Sequence, residues 1–417
     1  MIVAVLRVCV TAALLFGAAV DGTYSCAASA TITIVESIPV QVTLGAPKSN
    51  DTFDAWHALV RSAKTSVDIA AFYVRLLNGT QYPPVAQGWK GKQFFTDLTD
   101  AVARGVRVRL VQNMPNADFP DTDSVALAAA GVEVRSLDWT RFTPLHDGIL
   151  HTKMMLTDAD NVYLGSANLD WTSLSNVKEL GAVVQHCRVM ADDALKVFNE
   201  YWLAANATAL PNPWPPAYST AFNRTNPMQV ALNGAATAVF LSASPAQYVA
   251  SGREPDGSTI VANIDSATAS LAIEVMDYYP YTEFSNPNYY WSNIDDAIRR
   301  ANFRGVSVRL LFSLWDHSSP NSTQYWASLN ALDNVEVRLF VVPPLKGSPP
   351  IPFSRVQHAK FMLIDDQVAY IGTSNLTPDY FVNTGGLGWT INSTAVAAQI
   401  RGIFDRDWAS SYANLCC

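Results

Sequence analysis

The string His-x-Lys-x-x-x-x-Asp occurs twice in this sequence, and the doubling constrains the fold more than any other feature. Residues 151–158 read HTKMMLTD and residues 358–365 read HAKFMLID, so the two copies lie 207 residues apart. A Gly-[Ser/Thr]-x-Asn turn follows each copy, at residues 165–168 and 372–375. One copy alone would more often be structural than catalytic. Two copies in matching places indicate an internal duplication that carries a function.

The segments around the motifs repeat as well. Short apolar strands alternate with amphipathic helices in the same order in both halves. The matching pieces are residues 62–70 with 266–274, residues 104–110 with 304–310, and residues 132–135 with 335–338. Strands and helices that alternate at these lengths predict an α/β fold made of two similar lobes.

The sequence divides into three predicted parts. Residues 1–30 are predicted to be a signal peptide, because Arg7 precedes an apolar run that is too short for a membrane span. An uncleaved signal anchor is the alternative. Residues 31–225 are predicted to form the first lobe and residues 226–417 the second. The proline-rich stretch at residues 211–216 is expected to connect them stiffly.

The motif itself predicts a chemistry. If it forms a β-strand, residues i and i+2 share a face, which pairs His151 with Lys153 and His358 with Lys360. Histidine is the side chain best suited to act as nucleophile and general acid near neutral pH. The two lysines would hold the non-bridging oxygens of a phosphodiester. We therefore predict that one histidine attacks phosphorus to form a phosphohistidine, while the other protonates the leaving oxygen and then activates water.

Further polar residues are predicted to support this site. Side chains of the two turns would donate to the same anion, namely those of Ser166, Asn168, Thr373 and Asn375. Glu179 lies 28 residues after His151 and is predicted to orient its ring. Gly386 has that spacing in the second half, where no carboxylate is near. This asymmetry predicts His151 as the nucleophile and His358 as the acid.

The motif aspartates, Asp158 and Asp365, complete the predicted catalytic set. A residue seven positions after the histidine faces the other side of a strand, so a role in a turn or against the other lobe is the alternative. The remaining histidines show no paired pattern and are interpreted as structural: His57, His146, His186 and His317. Since no Cys, His or acidic cluster has the spacing of zinc ligands, neither a metal nor another cofactor is expected.

An aromatic segment at residues 278–291 has no clear counterpart in the first half. It follows a predicted strand end, where loops often build sites. Two functional interpretations are a stacking platform for bases and a surface for acyl chains. The alternative, that these rings are packed in the core, is the commoner fate of aromatic side chains.

Sequons and cysteines indicate the secretory pathway. Seven N-x-[Ser/Thr] sites begin at Asn50, Asn78, Asn206, Asn223, Asn321, Asn375 and Asn392, of which Asn375 is discounted because it lies within the second turn. Cys187 either pairs with Cys416 or Cys417 or stays a free buried thiol. We expect the protein to be secreted or to reside in the lysosomal lumen.

At these residues the chain resembles the phospholipase D superfamily, whose hallmark is the doubled motif with its Gly-[Ser/Thr]-x-Asn turns. It is most similar to the endolysosomal branch that comprises phospholipases D three and four. The stretches that carry the resemblance include residues 164–171, 177–181, 370–375 and 406–408. The resemblance implies two lobes, each a mixed sheet flanked by helices, packed with pseudo-twofold symmetry around one metal-free site.

The resemblance also implies two substrate classes. One is single-stranded nucleic acid, cut by a 5′ exonuclease, and this is the main prediction. The other is glycerophospholipid, which would be hydrolysed or transphosphatidylated. The net charge of −8 gives the protein no overall positive charge that would attract a long nucleic-acid duplex. A homodimer and a peripheral contact with a membrane are two further interactions that the sequence leaves open.

Overall fold

The computed structural model describes residues 26–143, 146–285 and 287–417. The predicted signal peptide therefore lies outside the described residues except for its last five positions. These are part of the first lobe, because Cys26 forms a disulfide with Cys187 and the N–H of Ala27 donates to the carbonyl of His186 at 2.9 Å. A second disulfide joins Cys416 to Cys417. Both predictions for Cys187, a terminal partner and a free thiol, are wrong.

The first half forms strands β1 (Thr31–Ser37), β2 (Asn50–Asp51), β3 (Ser66–Ala71), β4 (Val74–Arg75), β5 (Arg107–Asn113), β6 (Glu133–Leu137), β7 (Met154–Thr157), β8 (Asn161–Gly165), β9 (Leu169–Asp170) and β10 (Glu179–Gln185). Its helices are α1 (Thr52–Ser62), α2 (Trp89–Ala103), α3 (Thr122–Ala129) and α4 (Arg188–Ala204). The cap of α1 is Asp51, whose carboxylate accepts the N–H of Phe53.

The second half forms strands β11 (Met228–Leu232), β12 (Ala235–Ser244), β13 (Glu254–Pro255), β14 (Ser270–Val275), β15 (Ser307–Ser313), β16 (Val335–Phe340), β17 (Lys360–Ile364), β18 (Val368–Gly372), β19 (Gly386–Asn392) and β20 (Ala413–Leu415). Its helices are α5 (Asp256–Ser266), α6 (Asn293–Phe303), α7 (Ser322–Asn330), α8 (Asp379–Val382) and α9 (Thr394–Trp408). Among the residues that the structure describes, no helix is long and apolar enough to cross a membrane.

Each lobe is built on one large mixed sheet, and the two sheets share their strand order. The first runs β2-β1-β10-β8-β7-β3-β5-β6, and the second runs β11-β12-β19-β18-β17-β14-β15-β16-β20. In both, three parallel strands continue into antiparallel hairpin strands, with β3, β5 and β6 matching β14, β15 and β16. The shared order confirms the predicted α/β fold with two similar lobes.

A single hydrophobic cluster runs through both lobes. It contains Leu164 and Leu180 of the first sheet together with Ile371 and Leu387 of the second, all of them fully buried. Two separate clusters cover the outer faces, one under α1 and α2 and the other under α5 and α6. Because the central cluster belongs to both sheets, the lobes are joined by core packing and not only by the connecting chain.

The motif residues do not all lie in strands as predicted. Strand β7 begins at Met154 and β17 begins at Lys360, so His151, Lys153 and His358 precede the strands. The N–H groups of both histidines bond to the opposite lobe instead of a neighbouring strand of their own sheet. Backbone donors at these positions are therefore satisfied across the lobe interface, which ends the strand ladder early.

Candidate active site

The two motifs meet at the lobe interface through matching backbone hydrogen bonds. The N–H of His151 donates to the carbonyl of Gly385 at 2.8 Å, and the N–H of His358 donates to the carbonyl of Lys178 at 2.7 Å. The donors of these two bonds lie 207 residues apart in the sequence, and so do the acceptors. The bonds thus repeat the duplication and give the interface a local pseudo-twofold symmetry.

Both histidines line one cavity of about 660 Å³ between the lobes. Asn168 of the first turn and Asn375 of the second also line it. The histidines themselves are almost fully buried. The structure therefore brings the two half-sites together around one space that is large enough for part of a substrate.

The ring of His151 is held by a backbone carbonyl of the other lobe. Its Nδ1 lies 3.0 Å from the carbonyl oxygen of Thr373. A carbonyl can only accept, so Nδ1 carries a proton and Nε2 is the basic atom of the neutral ring. Burial and the positive charges of Lys153 and Lys360 hold the pKa of His151 well below its usual value. The ring is therefore neutral, as a nucleophile must be.

The ring of His358 is held by a carboxylate of the other lobe. Its Nδ1 lies 2.8 Å from Oε2 of Glu179, which also accepts the hydroxyl of Ser166 at 2.6 Å. Burial lowers the pKa of His358 to about 4, while Glu179 acts in the opposite direction. Burial raises the pKa of Glu179, but the charges of His358 and Lys360 outweigh it and leave that pKa lowered. The prediction that Glu179 orients His151 is therefore wrong, because its side chain crosses the interface to His358.

A glycine explains why the two half-sites differ. Gly386 begins β19 at the position that Glu179 holds at the start of β10. A Cβ atom there would lie 2.2 Å from Oγ of Ser374, so no side chain fits without rearrangement. His151 consequently has a main-chain partner where His358 has a charged one.

The two lysines contact the backbone of their own motifs. The ammonium of Lys153 donates to the carbonyl of His151 at 2.7 Å, and that of Lys360 donates to the carbonyl of His358 at 2.5 Å. Burial lowers the pKa of Lys153 well below its usual value and that of Lys360 to about 7, although Glu179 and Asp277 favour the charged form of Lys360. Neither lysine is among the residues that line the cavity, but both lie behind the histidines that do, so an anion bound at the histidines would offset the cost of these desolvated cations.

The turn residues divide into two roles. Asn168 and Asn375 line the cavity, and their role as donors to a bound anion stays a prediction. Ser166 and Thr373 are fully buried beside it and support the rings instead, Ser166 through Glu179 and Thr373 through its carbonyl. The prediction that the hydroxyls of these two residues donate to a bound anion is therefore corrected.

The motif aspartates hold turns and not the reacting groups. The carboxylate of Asp158 accepts the N–H groups of residues 64, 65 and 66 at 2.7 to 3.1 Å. The carboxylate of Asp365 accepts those of residues 268, 269 and 270, each at 2.8 Å. Both turns lead into the parallel strands β3 and β14. Their placement in the predicted catalytic set is wrong, and the alternative of a turn-binding role fits the contacts.

Two further residues lie beside His151 and Asn375 and were not predicted from the sequence. Asp277 accepts the side-chain amide of Asn375 at 3.1 Å, and burial raises the pKa of Asp277 to about 7. The ring of Tyr380 packs edge-on against that of His151, with centroids 4.9 Å apart. Asp277 comes just after strand β14, and site residues often follow the ends of parallel strands. Its position in the sequence could therefore have predicted that it belongs to the site.

The aromatic segment at residues 278–291 is partly packed and partly exposed, since Tyr278 and Tyr279 are buried whereas Phe284 and Tyr290 are 68% and 60% exposed. Tyr278 is buried, stacks on Phe312 at 5.1 Å and donates its hydroxyl to Asp295. By contrast, His317, which was interpreted as structural, is exposed and lines the cavity. That interpretation is corrected. Within residues 26–143, 146–285 and 287–417, no three His, Cys or acidic side chains are grouped so that they could hold a metal ion.

Comparisons with known proteins agree with this geometry. The family model described as "PLD3/4, PLD-like domain" matches residues 44–344. Phospholipase D Z of Dictyostelium discoideum is 44% identical, over 91% of this chain and 90% of that protein. The 5'-3' exonuclease PLD3 of Xenopus laevis is 42% identical, over 91% of this chain and 80% of that protein.

A solved structure shows the same fold at low sequence identity. The crystal structure of a phosphatidylserine synthase from Haemophilus influenzae has a TM-score of 0.56 and 13% identity, and the match covers 87% of this chain and 85% of that one. This similarity supports the assignment of the fold and nothing further. The family match and the identities to relatives over most of the chain carry the assignment: the chain belongs to the PLD3/4, PLD-like domain family of the phospholipase D superfamily.

Proposed function

We propose that this protein is a phosphodiesterase that acts as a 5′ exonuclease on single-stranded nucleic acid. The observation that carries the proposal is the pair of buried histidines, one from each lobe, that share a cavity and have different ring partners. The relatives named 5'-3' exonuclease PLD3 support the choice of substrate.

The different ring partners assign the histidines. The neutral His151, whose Nδ1 bonds to a carbonyl, attacks phosphorus with Nε2 and forms a phosphohistidine as the leaving oxygen departs. His358 protonates that oxygen, because the carboxylate of Glu179 stabilises the imidazolium that a general acid requires. The same ring then takes a proton from the water that hydrolyses the intermediate. His151 thus remains the proposed nucleophile and His358 the proposed general acid, but Glu179 assists His358 and not His151.

The lysines and the cavity-lining amides stabilise charge. Lys153 and Lys360 are fixed by the carbonyls of the histidines they serve, so they need little reorganisation when negative charge builds up on the phosphoryl oxygens. Asn168 lines the same space and can donate to those oxygens. Asn375 can do so only by releasing Asp277 and Tyr380, to which its amide donates. Neither step, as written, requires a metal ion or another cofactor.

A phospholipid is the second candidate substrate. The observation in its favour is Phe284, which lines the cavity and is 68% exposed, so that an apolar ring lies where a lipid surface could contact it. Dictyostelium relatives named phospholipase D point the same way. Such a substrate would bring a peripheral contact with a membrane, using the same histidines and lysines.

We also propose a luminal location, either lysosomal or secreted. The disulfide between Cys26 and Cys187 is typical of oxidising compartments. The asparagines of four sequons are exposed and accessible to glycosylation: Asn50, Asn206, Asn321 and Asn392. Asn375, by contrast, is buried in the site.

The proposal is tested by offering the purified protein a single-stranded oligonucleotide and phosphatidylcholine vesicles, each with and without chelator. We expect shortening of the oligonucleotide from its 5′ end, unaffected by the chelator. His151→Ala and His358→Ala should each lower turnover by at least ~10³-fold, whereas His186→Ala, at a partly exposed histidine outside the cavity, should not. Turnover of the vesicles without turnover of the oligonucleotide would favour the second candidate. Unchanged turnover in both histidine variants would contradict the assignment of the active site.

A further inference from the structure

Five ring side chains form a continuous path along the cavity and across the lobe interface. We call this path the aromatic arch, and its members in order are Phe72, Phe119, Phe353, His317 and Trp315. The centroids of successive rings lie 4.9, 5.8, 4.8 and 4.8 Å apart. These are the separations of interacting aromatic rings, so the arch is one connected surface.

The arch starts at the reacting groups. The ring of Phe72 lies 5.5 Å from that of His151, measured between centroids. From there the arch leads away through Phe119 of the first lobe to Phe353 of the second. A substrate whose phosphate reaches His151 would thus have its neighbouring groups beside these rings.

The position of the arch in the fold is that of a ligand site. Its rings come from segments that follow the carboxyl ends of the parallel strands β3, β5, β15 and β16. In open α/β sheets ligands bind at these ends. Phe353 is 39% exposed and has a φ of +53°, a backbone conformation that is unfavourable for a bulky side chain. An exposed ring held at that cost is poorly explained by core packing.

The charge of the cavity makes the arch important for binding. Among the lining residues in the described part of the chain, there is no arginine or lysine, while five acidic residues besides Glu179 line it: Asp118, Asp147, Asp277, Glu283 and Asp379. Such an acidic lining would not attract the phosphates of a polyanion, apart from the phosphate bound at the histidines. Stacking on the arch is the attraction that remains for the rest of a strand.

We propose that the aromatic arch stacks the nucleobases of the single-stranded substrate, a role that rests on the exonuclease function proposed above and deepens it. Every base has a π-face, so stacking tolerates any sequence, but the paired and stacked bases of a duplex do not present that face. Asn116 and Asp118 line the cavity beside Phe119. They suit the polar edges of bases, whereas an acyl chain would desolvate them without a partner.

The test compares oligonucleotides that differ only in their first two bases. One has a normal 5′-terminal segment, and the other has abasic residues at its first two positions. Phe353→Ala should lower kcat/KM on the normal strand by about 5- to 150-fold, the range for loss of one stacked base, with little effect on the abasic strand. Phe353→Trp should retain most of the activity. Phe303→Ala is the matched control, because this ring is 92% exposed on α6 and lies outside the cavity.

The outcomes separate the arch from the proposed function. If Phe353→Ala discriminates between the two strands as strongly as the unaltered protein, the arch does not read bases and this inference is wrong. If the variant loses turnover of phosphatidylcholine vesicles but not of oligonucleotide, the arch contacts lipid. If the unaltered protein cleaves bis(4-nitrophenyl) phosphate but no oligonucleotide, the histidines work and the proposed exonuclease function itself fails, together with the arch.

Discussion

The two motif histidines have different hydrogen-bond partners, and the proposed mechanism assigns their roles from this difference. A backbone carbonyl fixes the tautomer of His151 without adding charge, so its ring stays neutral. The carboxylate of Glu179 can stabilise a proton on His358. In the proposed mechanism, the two identical motif histidines have opposite roles because one repeated position is Glu179 in the first half and Gly386 in the second.

Glu179→Gln should weaken the general acid specifically. Without the carboxylate, the pKa of His358 falls further, so expulsion of a poor leaving group such as a nucleoside hydroxyl should slow by ~10²- to 10⁴-fold. A nitrophenolate leaves without a proton, so the first chemical step with bis(4-nitrophenyl) phosphate, seen as the initial release of nitrophenol, should slow much less. The measurement is the rate ratio of the two substrates, with Glu133→Gln, an exposed carboxylate, as control. Equal losses on both substrates would contradict the assigned role.

The pH dependence follows from Lys360 and His358. Lys360 carries its charge only below its pKa of about 7, and His358 is protonated more as the pH falls toward its pKa of about 4. We therefore expect kcat/KM to rise as the pH falls from about 8 to about 5.

Asp277→Asn should shift this profile. The charge of Asp277 favours the ammonium of Lys360, so its removal lowers the pKa of Lys360 and should move the alkaline limb of the profile to lower pH. Glu133→Gln, which changes an exposed carboxylate outside the cavity, serves as control. A pH profile that is the same in the protein and in Asp277→Asn would contradict the coupling between these two groups.

At the scale of elements, the motif aspartates organise the entry into β3 and β14. Asp158→Ala removes an acceptor from three backbone N–H groups, so we expect a loss of ~1–3 kcal/mol in the free energy of unfolding. Since the residue binds a turn, kcat per folded molecule should change little. Urea unfolding with activity measured on the folded fraction checks both statements, and Asp365→Ala should behave in the same way. A ~10³-fold loss of kcat in folded protein would return these residues to the catalytic set.

The order and type of the elements were predictable because each repeats with its own apolar period in both halves. The length of the motif strand was not, because His151 and His358 bond across to residues 178 and 385, which are remote in sequence. The same reason explains the error at Glu179. Spacing from His151 suggested a partner in the same lobe, while the fold places the start of β10 against the other motif.

At the scale of the whole molecule, a buried ionic cluster ties the lobes together behind the site. The ammonium of Lys178 lies 3.0 Å from Glu274 and 2.7 Å from Asp407, and Arg406 pairs with Glu36 at 2.7 Å. Burial raises the pKa of Glu274 to about 8 despite the neighbouring lysine. The cluster joins four segments of the chain, so its integrity depends on both lobes being folded.

Lys178→Met should therefore destabilise the entire protein. It leaves Glu274 and Asp407 without their shared cation, for an expected cost of about 3 kcal/mol, at the lower end for broken buried ion pairs because Glu274 can take up a proton. Unfolding in urea should remain a single transition, since the lobes share one core. Arg107→Met, which breaks an exposed ion pair, should cost less than about 1 kcal/mol. Two separate transitions in the unaltered protein would contradict the shared core.

The duplication allowed the sequence to predict one site built from two halves, because both motifs and both turns could be read from spacing. The aromatic arch could not be read in this way. Its rings do not repeat between the halves, since residues 115 and 117 are proline and alanine where the second half has Trp315 and His317. Single residues such as His317 and Phe353 therefore have no pattern in the chain. Their relation appears only when four loop segments meet at the carboxyl edges of the two sheets.

The assignment of the two histidines is the central claim, and trapping the covalent intermediate tests it most directly. His358→Ala with bis(4-nitrophenyl) phosphate should release one nitrophenol quickly and then stall, because the base that activates water is missing. Mass spectrometry of the quenched protein should then find the nitrophenylphosphoryl group on His151, and His151→Ala should carry none. A label on His358 in the unaltered protein, or a full burst from His151→Ala, would contradict the account.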